Sequence, residues 1–351
     1  VLGQEVVPNS GCGSWLLEGQ STNLIPYSED FSNASWSKTA STITSNVIIS
    51  PNGTLNADEF IENFSNTAHR LSVNTIPVVL GNSYSFSLFA KYNNKQYLQL
   101  TFNSSQFGST QFATFDLING VVSGVTSGIA NIEQYTNGWY RLIFTATATS
   151  SANSAAYIIT SNVPNLRDPS YQGNGSSVYI YGAQLEEQSS TTSYIPTQGA
   201  SSTRLKDIAT NSGNASLINS EEGTFYAELA ALSDDGTTRR LAISDGSTSN
   251  RVFIGYDLST NSVQFVVSSG GSVVVNQTFT ISDTTQFNKL ALKYKLNDCS
   301  FWIDGVEVGT DTTALMPIGL NQVMFNQGTT SRIFYGKTKA LAVYKTALTD
   351  A

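Results

Sequence analysis

The sequence contains a single histidine, His69, followed directly by Arg70. A Ser-His-Asp constellation needs its serine on a strained elbow, and no G-x-S-x-G occurs. Transition-metal chemistry asks for several imidazole or thiolate ligands, which one histidine and the two distant cysteines, Cys12 and Cys299, do not supply. There is no P-loop, and no G-x-G-x-x-G follows a strand pattern. His69 therefore reads as a structural or sugar-contacting residue, and no catalytic residue is assigned.

Carboxylates are the other source of chemistry. Asp58-Glu59, Glu186-Glu187, Glu221-Glu222 and Asp234-Asp235 are neighbours in sequence, so on strands their side chains point to opposite faces. Glycosidic cleavage needs two acids facing one cleft, which this spacing does not provide. Asp234 and Asp235 fall in an expected loop, where hard oxygen ligands could hold a structural Ca²⁺. No D-x-[DN]-x-[DN]-G loop accompanies them, so a solvated turn is the simpler reading, and no other cofactor is expected.

Aromatic residues are more informative. Sugar-binding surfaces stack an aromatic face on the C–H side of a ring and satisfy the hydroxyls with amides and charged groups; tyrosine combines an apolar face with a polar tip. Tyr92, Tyr97, Tyr135 and Tyr171 lie among Asn, Gln and Lys at expected strand ends. Residues 91–99, KYNNKQYLQ, form the best candidate recognition surface, with Tyr92, Asn94, Tyr97 and Gln99 as ligand-binding candidates joined by His69 and Tyr171. An ordinary polar hairpin tip is the competing reading. Trp36, Trp139 and Trp302 sit in apolar contexts and are assigned to the core.

These residues must be positioned by strands. Charged residues make up 13% of the 351-residue chain while Gly, Ser, Thr and Asn abound, a balance of turn-rich β-sandwiches. Alternating runs at 41–49, 57–61, 69–73, 83–92, 97–102, 112–116, 121–125, 138–144, 155–159 and 178–181 predict a double-sheet jelly roll. In 178–204 the strand is expected to stop at Gly182 and give way to a polar connector held extended by Pro196. A second meander follows at 224–229, 240–244, 251–256, 262–268, 273–279, 289–296, 300–304, 322–325 and 339–344, with Asp304-Gly305 as a hairpin turn. The fold class is all-β, two antiparallel sandwiches. The expected boundaries are a lead segment at 1–22, the jelly roll at 23–200, a linker and first-strand region at 201–222, and the second sandwich at 223–351.

A formal charge of −8 argues against nucleic acid as partner, and no apolar run is long enough for membrane insertion. Cys12 and Cys299 are expected to be small buried residues in a chain that folds without oxidation. Thr349-Asp350 has the form of a helix N-cap whose helix would lie beyond Ala351.

Two groups of motifs carry a resemblance. Residues 15–36, WLLEGQSTNLIPYSEDFSNASW, together with GWYR at 138–141, YGAQLEE at 181–187 and TSYIPT at 192–197, resemble the paired opening and closing motifs of tailed-bacteriophage structural proteins. Gly19 stands where that opening usually has proline. Residues 223–351, with ISDG at 243–246, WIDGVEVG at 302–309 and YKTALTDA at 344–351, resemble a concanavalin-A-like, laminin-G-type sandwich. The resemblance implies a carbohydrate-binding-module-like jelly roll followed by a lectin-like sandwich, in a non-enzymatic virion appendage such as a tail or head fibre. It further implies other virion proteins and a host-surface glycan as partners, a homo-oligomer (a trimer by analogy), and a place on the extracellular particle. The alternative is an accessory carbohydrate-binding region of a secreted bacterial polysaccharide-degrading enzyme. No ligand residues transfer from the motifs.

Overall fold

The computed structural model describes residues 3–5, 13–210 and 212–349, with side chains from residue 13 onward. The chain is all-β and divides into two units, one of Gln20–Leu205 and one that joins Val1–Gly19 to Lys206–Ala351.

In the first unit, two six-stranded antiparallel sheets face each other. One runs in the order Val121–Ser127, Phe112–Asp116, Tyr97–Phe102, Ala152–Ser161, His69–Val78, Trp36–Thr39. The other runs Ile129–Gln134, Trp139–Thr147, Ser83–Tyr92, Ser177–Glu186, Leu55–Glu62, Ser41–Ile49. Period-2 alternation explains the packing. Tyr84, Phe86, Leu88 and Ala90 point inward from one strand and are fully buried, meeting Leu98, Leu100, Phe102 and Ile158 of the facing sheet. Each buried Leu, Ile or Phe among them contributes about 1.5–3 kcal/mol by leaving water.

The opposite face of that strand is covered as well, with Ser85, Ser87 and Phe89 buried. The returning connector covers them: Ser85 Oγ donates to Gln188 O at 2.9 Å, and Arg141 Nη2 spans Ser87 Oγ and Thr192 O. Nor does the strand stop at Gly182. It continues to Glu186 through a bulge between Tyr181 and Gln184, because Gly182 adopts φ +61°, where a side chain would be strained.

In the second unit a seven-stranded sheet runs Gly3–Glu5, Ser14–Leu17, Gly336–Tyr344, Glu222–Ala231, Asn288–Lys295, Cys299–Ile303, Val306–Asp311. Its partner has five strands: Ser272–Thr280, Ser262–Ser269, Arg251–Tyr256, Arg239–Ser244, Gln322–Met324. Phe225, Leu229, Ile243, Ile254, Phe265, Leu292 and Phe301 fill the space between the sheets. The Asp304-Gly305 turn forms as expected, both residues at positive φ.

The expected lead segment is divided between the units. Trp15, Leu16 and Leu17 pair with Thr338, Lys337 and Gly336, whereas Ser21–Asn23 pairs with Ser202–Arg204 and closes the jelly roll inside the expected linker. Of the tryptophans, Trp36 and Trp139 are in the core, but Trp302 is only half-buried, its Nε1 donating to Ser300 Oγ. Cys299 is buried as expected; Cys12 and Asp350 lie outside the described residues.

Candidate functional site

Residues 91–99 are fastened more than they are displayed. Asn93 Nδ2 donates to Glu59 Oε1 and Ser177 Oγ, and Asn94 Oδ1 accepts from Ser177 N. Lys95 turns inward and reaches Glu62 Oε2 at 2.8 Å. Tyr92 and Asn94 are exposed and Tyr97 half-buried, so these three remain surface groups. Gln99, His69 and Tyr171 do not, which corrects their assignment as ligand contacts.

Gln99 is fully buried; its Nε2 donates to Thr114 Oγ1 and Leu166 O, and its Oε1 accepts from Asp168 N. It therefore pins the 162–170 loop. His69 is fully buried, with Nδ1 2.8 Å from Ala40 O and Nε2 3.3 Å from Tyr171 O. Gly173 packs against it so closely that a Cβ there would lie 2.7 Å from the ring. Tyr171 donates its hydroxyl to Glu62 Oε2, and burial together with that carboxylate raises its pKa. Short-range alternation could not reveal this, because the partners come from distant strands.

Asp234 and Asp235 do not converge on a cation site. Asp235 Oδ2 meets Arg239 Nη2 at 2.8 Å, while Asp234 Oδ2 accepts from Asn261 N. Among the described residues no group of three or more His, Cys, Asp or Glu side chains could hold a metal ion.

The structure instead brings the opening and closing motifs together around a cleft of about 620 Å³. Tyr27, Glu29, Asp30 and Ser32 line it from the opening motif, Pro196 and Thr197 from the closing one with Gln198 just after it, and Ser45, Asn46, Asn56 and Asp58 from the sheet edge. Asn23 ties the motifs. Its Nδ2 donates to Ala183 O and Ile195 O, and its Oδ1 accepts from Ile25 N and Leu185 N. Ser28 N donates to Thr197 Oγ1 and Thr197 N to Ser28 Oγ, and Tyr194 Oη donates to Ser28 Oγ.

The cleft is rich in acceptors. Glu29 Oε1 accepts from Tyr181 Oη at 2.9 Å, and its Oε2 accepts from Asn56 Nδ2. Asp30 uses Oδ1 to hold Ser32 and Asn33 in its own turn. Asp58 is almost fully buried; desolvation pushes its carboxyl up, while the N–H groups of Asn46 and Phe31 counter the rise and the Asp30 charge adds to it. Asn46 holds φ +58°, which turns its short amide-bearing strand segment over the cleft. Carboxylates and amides around one tyrosine ring suit a polyhydroxyl ligand, whose hydroxyls both donate and accept.

The family match bears on the other unit. Residues 206–351 match the family model of the concanavalin A-like lectin/glucanases superfamily, of laminin G type. None of the curated proteins matches the sequence. Among solved structures, the chain is similar to the CBM40 of the Ruminococcus gnavus IT-sialidase bound to α2,3-sialyllactose, at 17% identity over 41% of this chain and 91% of that one (TM-score 0.33). It is also similar to the Bacillus subtilis carbohydrate-binding module CBM66, at 14% identity over 39% and 77% (TM-score 0.28). Mouse laminin α1 domains LG4-5 align over 80% of this chain and 86% of theirs, at 11% identity (TM-score 0.27).

Proposed function

We propose that the chain is a non-enzymatic glycan-binding structural protein of a bacteriophage virion, displaying its two sandwiches for attachment to a host surface. The observation that carries the glycan-binding part is the cleft in which Tyr27, Asp30, Asn46, Asn56 and Gln198 gather donors and acceptors beside an aromatic ring. The virion assignment is supported by the motif resemblance, and the lectin-like second sandwich by the family match of residues 206–351. Weak single-site binding would gain strength from many copies on one particle, and a trimer is the proposed assembly.

The description of that family also includes glucanases, which favours a second reading: an accessory binding region of a polysaccharide-degrading enzyme. Antibodies raised against the purified protein should decorate phage particles in negative-stain images. Labelling of a secreted bacterial hydrolase instead would replace the first reading by the second. Titration against neutral host-surface oligosaccharides should show binding that falls about tenfold in Asn46→Gly combined with Gln198→Ala. Asn46→Gly keeps the positive φ, so a loss of binding would not come from backbone strain. Unchanged binding would remove the cleft from the proposal. Incubation with a polysaccharide panel should release no reducing ends, and clear product would overturn the non-enzymatic reading.

A further inference from the structure

The outward face of the five-stranded sheet in the second unit carries an arrangement that no sequence motif announced. Strand alternation sends Leu241, Ile243, Val252 and Ile254 into the core. The opposite face therefore receives Arg240, Ala242, Arg251, Phe253, Gln264 and Val266.

Both guanidiniums lie over the ring of Phe253, Arg240 Cζ at 4.3 Å and Arg251 Cζ at 5.1 Å from its centroid. Neutral acceptors hold them in place. Arg240 donates from Nη1 to Gln327 Oε1 and from Nη2 to Gln264 Oε1, and Gln264 is steadied by Asn276. Arg251 donates from Nε to Ser268 Oγ and from Nη1 to Gln327 O.

Arg332 belongs to the same cluster. Its carbonyl accepts from Arg240 N, and its side chain is exposed. Its charge opposes those of Arg240 and Arg251: burial first, and then Arg332, lowers both, with Arg240 brought down to about 10.

Among the described residues no carboxylate forms an ion pair with Arg240, Arg251 or Arg332, whereas neighbouring Arg239 is paired with Asp235. Arg240 is nine-tenths buried, and its Nε meets no acceptor. Three clustered cations in a chain of net charge −8 form a local reversal of sign, which the Asp257 charge offsets only in part at Arg240. Burying such charges is costly unless something compensates them. The rigid fork of arginine is matched to carboxylate, sulfate or phosphate oxygens, and Arg251 Nη2 and the Arg332 guanidinium are not engaged by protein acceptors among the described residues.

We propose that Arg251 and Arg332, backed by Arg240 and Phe253, form a second ligand site that takes the anionic group of an acidic polysaccharide. This site is separate from the cleft of the first unit and rests on the reading of the chain as a glycan binder. Charge on the ligand is the recognised feature, carried by a uronate carboxylate or by a sulfate ester.

The test uses the full chain and three oligosaccharides of equal length: a galacturonate tetramer, a heparin-derived sulfated tetramer and an uncharged galactose tetramer. Calorimetric titration should show at least one charged tetramer binding about tenfold or more tightly than the neutral one, with affinity falling as salt rises. A preference for the galacturonate or for the sulfated tetramer names the source of the charge. Arg332→Gln alters an exposed side chain and should fold normally; it should remove most of that preference while leaving neutral binding at the cleft intact. Arg251→Lys should retain part of it, since charge survives and the fork does not. Equal affinity for charged and neutral tetramers, or an Arg332→Gln variant indistinguishable from wild type, overturns the inference and leaves the cleft reading standing. Loss of all oligosaccharide binding would remove both. Tighter binding of a short single-stranded DNA than of either charged tetramer would overturn the glycan assignment in favour of nucleic acid.

Discussion

Lys95 Nζ lies 2.8 Å from Glu62 Oε2 and 4.2 Å from the centre of the Tyr171 ring, so a lysine from the polar connection between the strands Ser83–Tyr92 and Tyr97–Phe102 is consumed by the interior of the jelly roll. The carboxylate is also bonded by Tyr171 Oη and by Asn174 N. A buried pair of this kind adds little over an apolar pair but is expensive to break on one side. Lys95→Met is therefore expected to destabilise the protein by about 3–5 kcal/mol, read by urea denaturation of the jelly-roll transition. Adding Glu62→Gln should return part of that loss, because the stranded charge is removed.

The same carboxylate gives a pH dependence with a definite sign. Burial acts to raise Glu62, but the hydrogen bonds and charge of Lys95 and the bonds from Tyr171 and Asn174 outweigh it, leaving the pKa below its ordinary 4.5. A depressed carboxylate stabilises the fold fully above its unfolded pKa, and that contribution disappears as pH falls through the folded value. The stability gap between wild type and Glu62→Gln should be widest near neutrality and shrink below about pH 4. A gap that widened on acidification would contradict this account of the pair.

Asn23 makes all four of its side-chain hydrogen bonds to backbone groups, each of which would be left without that partner by Asn23→Ala. Unsatisfied buried groups cost about 1–3 kcal/mol each, partly relieved by relaxation and water. A loss of about 3–5 kcal/mol is expected by thermal unfolding, together with faster hydrogen exchange at Ile25 and Leu185. Asn23→Asp should also destabilise, since a carboxylate cannot donate to Ala183 O and Ile195 O.

Burial pushes the Cys299 thiol up to about 11, so little thiolate exists near neutral pH. Iodoacetamide should leave Cys299 unmodified in the native protein and label it after denaturation, as peptide mass mapping would show. Native labelling at this position would mean that the edge of the second sandwich opens readily.

Much of the architecture was readable because alternation is a local signal. Ser83–Tyr92 and Arg251–Tyr256 announce their inward residues within ten positions or fewer. What escaped notice depends on partners far away in the chain. The inward turn of Lys95 needs Glu62, the burial of Gln99 needs the 162–170 loop, and the bulge at Gly182 needs Phe89 and Tyr194. The cleft was legible in part, since the paired motifs lining it stand out, but their convergence depends on Asn23. The arginine face left no trace at all, because Arg240 and Arg251 lie on separate strands and Arg332 in a distant loop, and each reads alone as an ordinary cation.

Pairing of Ser14–Leu17 with Gly336–Tyr344 also has a bearing on biosynthesis. As the nascent polypeptide leaves the ribosome, that strand must wait for Gly336–Tyr344 to be translated before the two can pair. The interval is filled by Gln20–Leu205, which closes on itself through Ser21–Asn23 and Ser202–Arg204 and can mature during translation. Truncated translation products should therefore contain a finished jelly roll beside an unpaired, aggregation-prone edge, the species on which a chaperone would act.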